Sequence, residues 1–221
     1  MARTSNNTDS VLVIGLGRFG SAIAVTLDKL GKDVLAVESD SALAQKWSHR
    51  FRVVEADARS AEALIQLGAR DFTTAVVGVG SKLESSVLIA ANLVDLEIGE
   101  IWAKATSREH GTILRRIGAN HVVYPEFDAG QRVAHMVSGK MLDYIEMEDG
   151  FAIVKMLPPK DTIGFTVGQL DLRRRYGVTL IGVKSPGQPF EYTSDETLIS
   201  QGDTLIVSGE SELLEAFSKR V

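Results

Sequence analysis

Val11-Leu12-Val13-Ile14-Gly15-Leu16-Gly17-Arg18-Phe19-Gly20 decides the reading of this chain. Four apolar residues run into glycines at 15, 17 and 20. An amphipathic stretch follows over 19–30, with Phe19, Ile23, Leu27 and Leu30 at helical spacing. A G-x-G-x-x-G alone says little, but between a strand and a helix it has a mechanism. Gly15 allows a tight turn, Gly17 leaves room for a diphosphate against the backbone, and Gly20 lets the helix pack close to the sheet. Free amides at the helix N-terminus then face the anion. A glycine-rich turn without a ligand is the plainer alternative.

The same alternation continues outward. Apolar runs at 34–37, 52–54, 75–79, 101–103 and 121–123 have strand length and mostly lack inside/outside alternation, as strands buried on both faces do. Helical patterns lie between them, at 60–67 with Ser60 as cap, at 83–96 and at 109–117. The fold class is therefore α/β, a Rossmann-like doubly wound parallel sheet of six strands ending near Tyr124. The pattern then changes. Residues 128–144 read as one long helix with Val133, Met136, Val137, Met141 and Leu142 on a stripe, and 146–150 read as a linker. Strands at 151–154, 178–183 and 204–207, with helices at 167–175 and 211–219, make a small C-terminal α+β domain. The expected domains are 1–147, with the crossover helix, and 148–221.

Composition narrows the function. Apolar residues at 44% and charged residues at 24% allow a sizeable core. A net charge of -5 speaks against nucleic acid as a partner. The absence of cysteine excludes disulfides, thiolate metal sites and cysteine nucleophiles. The N-terminal MARTSNNTDS is polar and reads as a frayed lead-in, with no apolar core of a secretory signal. No apolar stretch approaches the ~20 residues of a membrane span, so a link to a membrane runs through a partner.

Candidate ligand residues gather at the carboxyl ends of the expected strands, where open α/β sheets bind ligands. Glu38 closes the second strand roughly 20 residues past the glycines, where a carboxylate receives ribose hydroxyls and repels the 2′-phosphate of NADP. A surface Glu opening a loop is its plainer reading. Asp40 shares that role or caps the next helix. Asp57, with Ala58 beside it, contacts the adenine side or serves as a loop cap. Gly78 and Gly80 follow the fourth strand. Lys104 ends the fifth, as a point charge for phosphate or as a surface lysine. Arg18, next to Phe19 in the glycine turn, is a cation the fingerprint does not require, and its guanidinium could grip phosphate oxygens. The histidines, His49, His110, His121 and His135, have no recognisable catalytic context. The chain carries no P-loop, G-x-S-x-G or metal-ligand cluster.

The run at 11–20 resembles the start of the Trk/Ktr potassium-uptake regulatory subunits, proteins of RCK (regulator of potassium conductance) domains, and is closest to their KtrA type. Val34-Leu35-Ala36-Val37-Glu38, Ile101-Trp102-Ala103-Lys104-Ala105, Gly118-Ala119 and Tyr124-Pro125-Glu126 extend the similarity. Arg175-Tyr176-Gly177-Val178-Thr179-Leu180 and Gln201-Gly202-Asp203-Thr204-Leu205 carry it to the C-terminal domain. The resemblance implies a non-enzymatic, cytoplasmic subunit at the inner face of the membrane. Its dimers assemble into an octameric ring under a membrane potassium-translocating subunit, and ATP or ADP at the Rossmann site sets the ring shape. It further implies Arg18 on the terminal phosphate in an adjacent subunit, Glu38 on the ribose and Lys104 near the phosphates. Glu126 would help hold a divalent cation, Mg or Ca, and the long helix would cross to the dimer partner. Paired C-terminal domains bind cyclic di-AMP in several members, with Arg173 at the matching position. The family often has Asp where this chain has Glu38. An NAD(H)-linked oxidoreductase and an NAD(H)-sensing regulator are the alternatives. The first needs an acid or base and a substrate pocket that the short second domain does not offer in recognisable form.

Overall fold

The computed structural model describes residues 10–80, 82–138 and 140–220. The polar N-terminal lead-in lies outside them, apart from Ser10. The chain divides into a unit ending at Glu126 and a unit beginning at Phe127.

In the first unit, six strands form one parallel sheet: β1 (Ser10–Ile14), β2 (Asp33–Glu38), β3 (Arg52–Glu55), β4 (Thr74–Val77), β5 (Glu100–Lys104) and β6 (His121–Val123). Their order is β3-β2-β1-β4-β5-β6. Helices α1 (Arg18–Lys29), α2 (Ser41–Trp47), α3 (Ala61–Gln66), α4 (Leu83–Asp95) and α5 (Arg108–Ile117) connect them. Both faces of the sheet bury apolar side chains, which is why the strands do not alternate with polar residues. Leu12, Ile14, Leu35 and Val37 pack with Leu64, Ile89, Leu93 and Leu114 on one face. Val11, Val13, Val34 and Ala36 pack with Ile23, Ala24 and Leu27 on the other. On that second face, Phe19, Ile23, Leu27, Val76, Trp102 and Val123 line an apolar cavity of about 360 Å³. Side-chain caps begin three of the helices: Asp40 accepts from the Leu43 amide, Ser60 from Ala63 and Ser107 from His110. Because β2 and β4 flank β1, the winding direction reverses there and opens a crevice at the carboxyl ends of β1 and β4.

Helix α6 (Pro125–Ser138) carries the chain into the second unit. There β7 (Met141–Glu146), β8 (Phe151–Met156), β9 (Thr179–Lys184), β10 (Glu191–Tyr192) and β11 (Thr204–Glu210) form an antiparallel sheet in the order β10-β9-β11-β8-β7. Helices α7 (Val167–Leu170), α8 (Leu172–Tyr176) and α9 (Ser211–Ser218) complete it. Met141, Tyr144, Val154, Met156, Leu205, Val207, Leu214 and Phe217 form its core.

Three expectations change here. The helix read over 128–144 begins earlier, at Pro125, and stops at Ser138, because 141–146 pair with β8 as a strand. Met141, Tyr144 and Ile145 suit a pleated, half-buried surface, and the β8 partner overrides their helical spacing. The boundary drawn at 147 therefore falls inside a hairpin. Residues 147–150 are its turn, with Asp149 at φ 56 and Gly150 at φ 73, closed by the Met147 amide on the Phe151 carbonyl at 2.7 Å. The helix read over 167–175 is two short helices, broken where Asp171 takes φ 45 and ψ 50.

His110, on α5, ties the first turn of α4 to the loop before α5. It is fully buried. The Thr106 amide donates to its Nδ1 at 3.3 Å, so Nε2 carries the hydrogen and donates to Ser86 Oγ at 2.7 Å; that hydroxyl donates to the Leu83 carbonyl at 3.0 Å. Burial pushes the His110 pKa below its ordinary 6.5. The neutral ring is thus the folded form. At pH values well above 6.5 the folded and unfolded chains are both neutral there, and stability is full. As pH falls through 6.5 the unfolded chain takes up the proton first, so stability falls until the folded-state pKa is passed. Urea unfolding at pH 7.5 and 5.5 should show a smaller acid loss in His110→Gln than in the parent; equal losses would place the acid sensitivity elsewhere.

Candidate functional site

The site is built from the turn between β1 and α1. Gly15 sits at φ 88, in the left-handed region, and its amide donates to the Val37 carbonyl at 2.8 Å. A Cβ at Gly20 would stand 1.9 Å from the Gly15 carbonyl oxygen, and one at Gly78 would stand 3.0 Å from the Gly20 Cα. Gly17 differs: nothing lies within 4 Å of the place its Cβ would occupy. As the N-cap of α1 it supplies no side-chain acceptor, and the first turn holds no acidic residue. The helix thus presents free amides and partial positive charge beside open space, the geometry in which a phosphate is held.

A cavity of about 270 Å³ opens at the carboxyl ends of β1, β2 and β3, with Gly15, Glu38, Asp57, Val79, Lys82 and Ser85 among its walls. Glu38 is 8% exposed. One carboxylate oxygen accepts from the Leu16 amide at 2.6 Å and the other from the Asp40 amide at 2.9 Å, so it braces the glycine turn against the start of α2. Asp40 itself caps α2. Asp57 does not cap α3, a position Ser60 takes. Arg59 instead binds the Asp57 carboxylate through Nε and Nη2 at 2.9 and 2.5 Å and holds its pKa down at about 2. Ala58 is buried between them in sequence, and Asn92 Nδ2 fixes this loop by donating to the Ala58 and Arg59 carbonyls at 3.3 and 2.9 Å.

A second cluster lies at the ends of β4 and β5. The Lys104 side chain runs along Gly80, where a Cβ would meet Lys104 Cε at 3.2 Å. Its ammonium lies 5.7 Å from the centre of the Phe19 ring and 2.5 Å from Glu126 Oε1 in the first turn of α6. Lys104 first of all, and Arg18 through space, hold the Glu126 carboxyl below the usual carboxylate range. Arg18 is exposed. Gly78 packs beneath the glycine turn, with its amide on the Ile14 carbonyl at 2.8 Å.

The structure thus gathers the glycine turn, Glu38, Asp57 and Ala58 on one side and Phe19, Gly80, Lys104 and Glu126 on the other. Arg173 belongs to the second unit, exposed on α8. Among the described residues no group of three or more His, Asp or Glu is placed to hold a metal ion, so a divalent cation at Glu126 would need ligand oxygens to complete its shell. Arg59, Lys82 and Asn92 escaped the sequence reading. Asn92 reaches the loop from 33 residues away, and no spacing rule signals that; the Asp-x-Arg spacing at 57–59 is the local signal that could have found Arg59.

These geometries separate two glycines of one motif. Gly20→Ala should cost ~3 kcal/mol or more, because backbone would have to move, whereas Gly17→Ala should cost less than ~1 kcal/mol in the free protein. Urea unfolding of both variants measures this, and equal losses would contradict the packing described.

The TrkA-N domain family matches residues 11–125 and the TrkA-C domain family residues 151–221. The chain is 32% identical over 207 residues to Ktr system potassium uptake protein A of Bacillus subtilis (strain 168), covering 93% of both chains. It is 33% identical over 211 residues to Ktr system potassium uptake protein C of the same organism, covering 95% of this chain and 96% of that one. Among solved structures, the GsuK channel bound to NAD superposes with a TM-score of 0.67 at 19% identity, over 96% of this chain and 39% of that one. A TrkA-N and a TrkA-C domain in succession and near full-length likeness to Ktr proteins together show that the chain belongs to the Trk/Ktr family of potassium-uptake proteins.

Proposed function

We propose that this chain binds an adenine nucleotide at the glycine turn and passes its occupancy to a membrane potassium-translocating subunit. The observation that carries the reading is the open space at Gly17, at the uncapped N-terminus of α1, beside a cavity walled by Glu38. An adenosine ligand would place its ribose at Glu38, its base toward Asp57 and Ala58, and its phosphates over Gly17 between Arg18 and Lys104. Asp40, which caps α2, contributes the amide that Glu38 already engages. ATP and ADP are the ligands favoured, with Mg or Ca between Glu126 and the phosphates. NAD(H) is the second reading, because Glu38 suits any unesterified adenosine ribose.

The role is regulatory and not catalytic. Among the described residues His110, the buried imidazole of this unit, is committed to contacts with Ser86 on α4 and the Thr106 amide. No described helix is long and apolar enough to cross a membrane, so action on ion flow requires a partner. Exposed Phe127, Val133 and Val137 on α6, and the apolar cavity beside Trp102, support self-association to a dimer and a larger ring. The exposed Arg173 is the residue through which paired C-terminal domains would hold a phosphate of cyclic di-AMP.

Calorimetric titration with ATP, ADP, NAD and NADP tests the reading. NADP should bind worst, since Glu38 would face its 2′-phosphate, and NADP binding tightest would overturn the ribose assignment. Arg18→Ala should weaken ATP more than ADP by roughly one to two decades, the size of a charge-assisted hydrogen bond. Equal losses would leave Arg18 as a general phosphate contact.

A further inference from the structure

Lys104 is a cation that the fold holds in place. Its side chain is 13% exposed. Its stem passes Gly80 so closely that any side chain there would press on it, and the Phe19 ring lies near its ammonium. Phe19 belongs to the first turn of α1, so this ammonium stands at the end of the helix that carries partial positive charge. Its carboxylate partner is of another kind. The Glu126 side chain is 65% exposed and reaches Lys104 from the first turn of α6, with the Arg18 charge also acting on it. A carboxylate of the chain itself thus sits on the ammonium that the fold holds at the N-terminal end of α1.

We propose that Glu126 is a resident counter-ion that competes with a ligand's phosphate for Lys104, and so sets how strongly the site favours phosphorylated over unphosphorylated adenosine ligands. The proposal rests on the nucleotide reading of the adjoining cavity and adds a selectivity residue to it. A phosphate that reaches Lys104 meets one of two costs. Glu126 swings into water and its ion pair is lost, or it stays and faces the phosphate as a like charge. Adenosine, which carries no phosphate, meets neither. Because Glu126 is mostly exposed, removing its charge leaves the packing of the unit intact.

Calorimetry on the full chain in EDTA, with adenosine and with ADP, tests this in the parent and in Glu126→Gln. ADP should bind about fivefold tighter to Glu126→Gln, the scale of a partly exposed ion pair, while adenosine binds both proteins equally. In a Lys104→Gln background, Glu126→Gln should no longer tighten ADP. Unchanged or weaker ADP binding in Glu126→Gln, equal tightening of adenosine, or an undiminished gain in the Lys104→Gln background would each overturn the counter-ion role. If adenosine and ADP bind and only the Glu126 effect is missing, the nucleotide reading stands without it. If neither ligand binds either protein, the nucleotide reading fails and the counter-ion role fails with it.

Discussion

The contact between the bare α-carbon of Gly20 and the carbonyl of Gly15 sets the geometry of the first unit. A methyl group at 20 would overlap that oxygen, and one at Gly78 would press on Gly20 in turn. With three side chains absent, α1 lies against the ends of β1 and β4 at backbone distance. Its N-terminus is thereby brought to the point where the sheet order reverses, and the Phe19 ring in its first turn comes within 5.7 Å of the Lys104 ammonium. Gly17 serves another purpose. A Cβ at this position would meet nothing within 4 Å, so its lack of a side chain matters for what can enter and not for how the protein packs.

Around that contact the polypeptide satisfies its own charges. Glu38 takes the Leu16 and Asp40 amides, Asp57 takes Arg59, and Glu126 takes Lys104. Hydrogen bonds to a carboxylate are stronger than neutral ones, so each holds its loop while no ligand is bound. A ligand therefore exchanges contacts instead of filling a void, and its affinity is the difference between the contacts made and those surrendered. The same exchange is what regulation requires, because a ligand shifts a conformational equilibrium only through contacts that differ between the two states. Glu126 is the group through which an exchange at Lys104 would be felt in the first turn of α6.

The first unit was legible in the sequence because its signals are local. Apolar runs and glycines gave the strands and the turn, and Ser60 and Asp40 stand where caps were expected. The second unit was legible in outline, as strands read at 151–154 and 204–207, which run on to Met156 and Glu210, and a closing helix. It failed at 128–144, where a helical stripe and a strand follow each other without a proline between them. Strand β7 exists because β8 is available to pair with it, and nothing within 141–146 announces that partner. In the site, residue types at strand ends pointed to Glu38, Asp57 and Lys104, but the Leu16 amide on Glu38 and the Glu126 side chain on Lys104 are properties of the folded chain. The glycine motif said where an anion would lie and left unsaid that the protein places a carboxylate beside that position.

Amide chemical shifts followed while ADP is added to the isotopically labelled protein test the central claim most directly. The account predicts that Leu16, Gly17 and Asp40 are among the amides that move most, as phosphate takes the start of α1 and ribose draws the Glu38 carboxylate from its two amide donors. Saturable binding that leaves those three amides unmoved, with its largest shifts elsewhere in the chain, would contradict the placement of the ligand at the glycine turn and with it the function drawn from that placement.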